Sequence, residues 1–212
     1  MKTIDVNEVF ASERIALPKG ENNEAFRQAF AAYVDFDIPT LSDPRRLSIK
    51  SEGREFYWLR GIDIPEKVER GLVDAAVMGT DALLNYKNYE ALRSRTIGDP
   101  VCKFSVLTAP EDVEKFDELF RKRERRYALP MVWLPTSRPE ALERISRWRD
   151  LPFRAYDLAI SGSVEAYARM VPGNRAAVAD LVKEGNTAQA NGLAEAMKLF
   201  DVSPEVVMRG AK

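Results

Sequence analysis

The sequence predicts an α/β fold arranged as two lobes, on three observations. Short β-type apolar runs alternate with helix-period segments along the chain. The pattern is interrupted at Thr108-Ala109-Pro110-Glu111, where a strand gives way to a strongly charged helical stretch. Three places put glycine beside hydroxyl or amide residues just where a strand ends and a helix should begin.

Taken in order, the β-type runs are Arg14–Leu17, Phe56–Leu59, Ala75–Met78, Phe104–Leu107, Met131–Leu134, Phe153–Leu158 and Ala177–Val182. Between them, Glu24–Val34, Pro65–Arg70, Glu111–Arg126 and Arg138–Arg149 carry apolar residues at amphipathic-helix spacing. The interruption near Thr108 makes 109–183 a second lobe, inserted into a first lobe formed by 1–108 and 184–212. With 212 residues, 45% of them hydrophobic, the chain can fill a core as one large domain or two small lobes. Trp58, Trp133 and Trp148 read as packing residues, in the core or on a lobe surface.

Composition removes several function classes. Net charge is −1, and the one basic run, Arg121–Arg126, is broken by Glu124 and has no interleaved aromatics for base stacking, so a solvated helix face is expected rather than a nucleic-acid site. Cys102 is the single cysteine, which excludes an intrachain disulfide and a multi-cysteine zinc site. Histidine is absent, so Ser-His-Asp and Cys-His catalysis are excluded. Met1–Ser12 carries Asp5 and Glu8 and lacks a signal-peptide plan, and no window approaches the roughly 18 apolar residues of a membrane helix. A soluble, cytoplasmic protein without membrane or nucleic-acid partners is expected. Its chemistry must rest on carboxylates, Lys, Arg and backbone amides, with or without a hard cation.

The three glycine turns are Gly79-Thr80-Asp81, Ser161-Gly162-Ser163 and Gly185-Asn186-Thr187. Glycine after a strand is most often an ordinary turn. Three in one chain, one in the first lobe and one at least in the second, fit a cleft that takes a phosphorylated ligand, because strand ends in open α/β sheets present backbone N–H groups to anions.

Several strings, in order, resemble ATP phosphoribosyltransferases. They are Ile15-Ala16-Leu17-Pro18-Lys19-Gly20, Leu59-Arg60-Gly61-Ile62-Asp63-Ile64-Pro65, Val68-Glu69-Arg70-Gly71, Val73–Asp81, Cys102-Lys103-Phe104, Ile160–Glu165, Asp180-Leu181-Val182, Gly185-Asn186-Thr187 and Asn191-Gly192-Leu193. The resemblance spans about Arg14 to Arg209. It implies two lobes of the type II periplasmic-binding-protein kind, with mixed sheets and a cleft between lobes. It also implies the short form, which lacks a C-terminal regulatory domain and works with a histidyl-tRNA-synthetase-like regulatory subunit. Exposed sheet edges make a homo-oligomer the expected assembly.

The implied reaction is the first step of histidine biosynthesis, transfer of the phosphoribosyl group of phosphoribosyl pyrophosphate (PRPP) to N1 of ATP, or to a ring nitrogen of a related acceptor, with release of pyrophosphate and with Mg2+ present. By this resemblance Lys19 and Arg60 neutralise ligand phosphates and count as the catalytic pair. Gly79, Asp81, Ser161, Gly162, Ser163, Asp180, Gly185, Asn186 and Thr187 bind substrate, Asp180 and the turn through Thr187 holding the ribose phosphate end. Glu165 takes ribose hydroxyls or, like Asp180, Mg2+. A competing account makes Lys19 and Arg60 surface or inter-lobe ion pairs and Glu165 a first-turn helix carboxylate.

The chain departs from the family pattern at Glu21, where arginine is common, at Lys183 and Glu184, where serine or threonine is usual, and at Ala188, where leucine is expected. Gly173–Ala176 and Met131–Pro135 also differ from it. Carboxylates near a polyphosphate repel it. Two alternatives therefore stand beside the transferase reading: a cleft serving a different small-molecule reaction, and a non-catalytic ligand-binding or regulatory subunit.

Overall fold

In chain order the computed structural model runs α1 (Val6–Phe10), β1 (Arg14–Pro18), α2 (Glu24–Val34), β2 (Ser48–Ser51), β3 (Arg54–Leu59), α3 (Ile64–Glu69), β4 (Ala75–Gly79), α4 (Thr80–Asn85), β5 (Leu92–Thr96), β6 (Cys102–Thr108), β7 (Val132–Thr136), α5 (Pro139–Trp148), β8 (Phe153–Asp157), β9 (Val178–Val182), α6 (Asn186–Ala190), β10 (Ala194–Val202) and β11 (Pro204–Arg209). The structure describes residues 4–20, 23–34, 36–40, 45–116, 118, 131–157, 164 and 177–210. Most of the predicted helix Glu111–Arg126, with its basic run, lies outside them. Among the described residues, no helix is long and apolar enough to cross a membrane.

The chain divides into two units, Met1–Val101 with Val202–Lys212, and Cys102–Asp201. In the first, a six-stranded sheet has the order β2-β3-β1-β4-β11-β5. β1 pairs in parallel with β3 and β4, whereas β11 returns antiparallel between β4 and β5. β4 is buried at every position and β1 at all but its first. That is why both read as unbroken apolar runs: a parallel central strand covered on both faces has no polar side to alternate with. At the edge, β2 alternates exposed and half-buried residues. α2 turns Phe26, Phe30 and Val34 inward, one helical turn apart. α1 begins with a capping box, in which the Asp5 side chain accepts from Asn7 N–H and Glu8 reaches back to Asp5 N–H.

The second unit holds a five-stranded sheet of order β10-β6-β9-β7-β8. α5 starts with Pro139 in its first turn and buries Ala141, Leu142 and Ile145. The sequence places the unit boundaries near 108 and 183, but the contacts place them at 101/102 and 201/202. The cause is pairing. β6 runs antiparallel to β9, Ser105 opposite Asp180, and β10 lies on the other side of β6. Residues 102–108 and 184–201 thus join the second unit. Trp58 is 4% exposed, whereas Trp133 and Trp148 lie on the surface at 64% and 54%.

Candidate functional site

Parallel pairing brings the C-terminal ends of β3, β1 and β4 side by side. Pro18 stands opposite Leu59, so the next residues, Lys19 and Arg60, leave the sheet together. The Lys19 N–H donates to the Leu59 carbonyl at 2.7 Å, which ties the two loops. Both side chains are on exposed residues, and among the described residues neither pairs with a carboxylate. Within the described residues, then, their charge is open to a ligand.

Beside them, β4 ends at Gly79 and the chain enters α4. This turn is seated by β11. Thr80 N–H donates to the Ser203 carbonyl at 3.1 Å, and Ser203 N–H returns to Thr80 Oγ1 at 3.2 Å. Thr80 Oγ1 lies 3.1 Å from the Ser203 carbonyl and 3.2 Å from Glu205 Oε1, and Thr96 Oγ1 donates to Glu205 Oε1 at 2.9 Å. Asp81, in the first turn of α4, is 5% exposed.

Glu205, 7% exposed, went unnoticed in the sequence. Burial pushes its carboxyl above the ordinary range, against the lowering effect of the Thr96, Thr80 and Ser94 hydroxyls. The hydrogen-bond count agrees, because the single Thr80 hydroxyl proton cannot serve both Ser203 O and Glu205 at once, and a protonated Glu205 can donate to Thr80 Oγ1 instead. A raised folded-state pKa contributes stability that is present below the ordinary glutamate range and is lost as pH rises through the folded value. Glu205→Gln, which mimics the protonated form, should raise stability near neutrality by about 1 kcal/mol, the worth of one buried hydrogen bond. Thermal midpoints at pH 5 and pH 8 check this: the wild type should lose more between the two than the variant, and equal losses would refute it.

In the second unit, β9 leads through Gly185 into α6. Gly185 has φ 77°, a left-handed conformation that favours glycine, and it caps the start of the helix. Asn186 and Thr187 are exposed there. The Asn191 backbone and side-chain N–H groups donate to the Thr187 carbonyl at 3.1 and 2.9 Å, so the Asn191-Gly192-Leu193 string secures the turn from behind. Asp180 is half-buried on β9, and its Oδ1 accepts from Leu181 N–H at 2.8 Å.

Directly opposite Asp180, Ser105 is fully buried and donates to Glu195 Oε1 at 3.0 Å, while Lys103 pairs with Glu195 Oε2. Opposed residues of an antiparallel pair share a face. A Lys103–Glu195–Ser105 row therefore flanks Asp180, and Ser105 and Glu195 were missed. The one sequence signal was a serine set among Phe104, Val106 and Leu107. Ser161, Gly162, Ser163 and Glu165 lie outside the described residues, as does Glu21.

Glu184 is exposed and accepts from Asn186 Nδ2 at 3.2 Å. Its carboxylate stands next to the Gly185–Thr187 turn but in water, where repulsion is screened. Glu184→Ser should therefore tighten phosphate-ligand binding only about two- to fivefold. Weaker binding would show instead that Glu184 serves the ligand through Asn186. Among the described residues no three or more Asp, Glu, Cys or His side chains converge on a metal. Mg2+ bound together with substrate needs one or two carboxylates, with phosphates and water completing its shell, and Asp180 fits that donor set.

Two α/β sheets, with glycine turns at strand ends, define a protein of the periplasmic-binding-protein-like class. The comparisons agree with that class and narrow it. A family profile described as HisG, ATP phosphoribosyltransferase, matches residues 60–212. The ATP phosphoribosyltransferase of Caldicellulosiruptor saccharolyticus is 29% identical over 201 residues, covering 93% of this chain and 88% of that protein. Among solved structures, the ATP phosphoribosyl transferase (HisG:HisZ) complex from Thermotoga maritima has a TM-score of 0.63 at 18% identity, over 92% of this chain and 86% of the other. The Bordetella pertussis BvgS periplasmic domain shares the fold at a TM-score of 0.50 and 12% identity, over 94% of this chain and 37% of that one. The chain belongs to the ATP phosphoribosyltransferase family. Membership supports a catalytic role in a phosphoribosyl-transfer reaction of histidine biosynthesis.

Proposed function

We propose that this chain transfers the phosphoribosyl group of PRPP to a ring nitrogen of ATP or a close relative of it, with release of pyrophosphate. The observation that carries the reading is the family match through residues 60–212, which takes in Arg60, the Gly79–Asp81 turn and the Asp180–Thr187 segment. Departure of pyrophosphate builds positive charge on the ribose carbon, so the reaction asks for cations on the leaving group, an anchored 5-phosphate and an aligned nucleophile. Lys19 and Arg60, exposed at neighbouring strand ends and without carboxylate partners among the described residues, meet the first demand. The Gly185–Thr187 turn, braced by Asn191, meets the second. Asp180 would hold Mg2+ or the ribose hydroxyls, and Mg2+ when bound neutralises part of the pyrophosphate charge. None of these roles needs histidine.

The relative from Thermotoga maritima is a HisG:HisZ complex. A regulatory subunit of that kind is accordingly proposed as a partner, along with self-association, and co-purification from a co-expressing strain tests both. For the reaction itself, the purified protein is titrated calorimetrically with PRPP and Mg2+, with and without ATP, while pyrophosphate release is followed. Binding with release supports the transferase; no binding at millimolar PRPP would favour the repurposed or non-catalytic alternatives.

A further inference from the structure

The loop carrying Lys19 is braced from one side by two residues of the segment that follows it. Arg27 Nη1 donates to the Pro18 carbonyl at 2.6 Å and to the Gly20 carbonyl at 3.0 Å. Asn23 Nδ2 donates to the Lys19 carbonyl at 2.7 Å, and Asn23 N–H to the Gly20 carbonyl at 3.2 Å. Three consecutive carbonyls are thus turned toward α2. No peptide bond is cis, and in a trans peptide the N–H points opposite to the carbonyl of the same plane. The Lys19 N–H obeys this and meets Leu59 O on β3. By the same rule the Gly20 N–H points away from Asn23. It has no hydrogen-bond partner among the described residues, and Gly20 is exposed, with φ 104°.

We propose that Asn23 and Arg27 are positioning residues, which fix the Gly20 N–H as a second anion donor next to the Lys19 ammonium for the polyphosphate of the ligand. The inference rests on the phosphate role given to Lys19 above. Arg27 lines a cavity of about 530 Å3 with Lys19, Phe36 and Trp58, so direct ligand contact is the competing role for it. Its side chain is only 16% exposed, and its Nη1 and Nε serve the two carbonyls and Glu24. A guanidinium so committed holds a loop. Two preset donors need no reorganisation when an anion arrives, which is how backbone N–H groups gain strength as anion sites.

The test titrates Mg2+-PRPP and ATP separately into the full chain as wild type, Lys19→Ala, Asn23→Leu, Arg27→Lys and Arg27→Met. Thermal midpoint, KM and kcat are measured for each. Asn23→Leu keeps the shape without the donor, and Arg27→Lys keeps the charge without the fork. Whichever ligand Lys19→Ala weakens, Asn23→Leu and Arg27→Met should weaken about tenfold as well, equivalent to about 1.4 kcal/mol. The effect should appear in KM with kcat held, and Arg27→Lys should fall between wild type and Arg27→Met. If Lys19→Ala loses affinity while Asn23→Leu and Arg27→Lys bind as wild type does, whatever their thermal midpoints, the positioning role is overturned and the phosphate role of Lys19 stands. If Lys19→Ala binds both ligands normally, or the wild type binds neither, both ideas fall together, because the Gly20 N–H then has no anion to meet.

Discussion

Replacing Gly79 by alanine is expected to destabilise the protein by about 1–3 kcal/mol, the usual cost of forcing an extra methyl into a filled interior. The added Cβ would run into Asp81 Oδ1 and lie 3.1 Å from Val202 Cγ1 and 3.3 Å from Phe26 Cζ. Gly79 has φ −78°, which any residue adopts, so the cost is steric and not conformational. The nearest of the three atoms ends a short side chain that could rotate, but Asp81 is 5% exposed, and Val202 and Phe26 are buried at 0% and 6%. A displaced carboxylate has nowhere solvated to go without shifting the first turn of α4. Gly61→Ala is the control, since its Cβ would meet nothing within 4 Å. Denaturant midpoints should separate the two variants clearly, and a Gly79→Ala midpoint equal to that of Gly61→Ala would mean that the turn adjusts freely. The same shift should cost ligand affinity, because the turn lies at the strand ends shared with Lys19 and Arg60.

The strands legible in the sequence were those whose burial shows in local pattern. β1, β4 and β9 sit inside their sheets and read as apolar runs. β2 and β5 were not legible, because each is a sheet edge with one of its sides unpaired; in β5 only Leu92 is buried. β10 carries Ala194, Glu195, Met197, Lys198 and Leu199, all good helix formers, and is a strand because β6 offers it a pairing partner. Tertiary pairing overrides propensity there, and it is also what moved the unit boundaries.

The candidate site divides in the same way. Lys19, Arg60, Gly79 and Gly185 stand in contiguous strings beside strand ends and could be named from sequence. Their supports could not. Glu205 meets Thr80 across 125 positions and Ser105 meets Glu195 across 90, so nothing local marks them. Arg27 and Asn23 are close in sequence to the carbonyls they hold, yet each reads as an ordinary polar residue at a helix start. What was missing was the direction of the carbonyls, which only backbone geometry supplies.

Lys19→Ala and Thr187→Ala should each weaken binding of PRPP, but by different amounts and with different responses to salt. A charged donor contributes about 1.5–3 kcal/mol to a hydrogen bond with an anion, so Lys19→Ala should cost about ten- to a hundredfold in affinity. A neutral hydroxyl contributes about 0.5–1.5 kcal/mol, so Thr187→Ala should cost about two- to tenfold. Lys19 is exposed, which leaves its charge open to screening. Raising the ionic strength should therefore erode wild-type affinity more steeply than that of Lys19→Ala, while Thr187→Ala keeps the wild-type slope. Arg60→Ala should behave as Lys19→Ala does, because both cations leave adjacent parallel strands at the same level and neither has a carboxylate partner among the described residues. If neither Lys19→Ala nor Thr187→Ala changes the affinity, the phosphate-binding roles are wrong at both strand ends. If both lose affinity but share one salt slope, the Lys19 side chain supports the shape of the site and its charge does not act on the ligand.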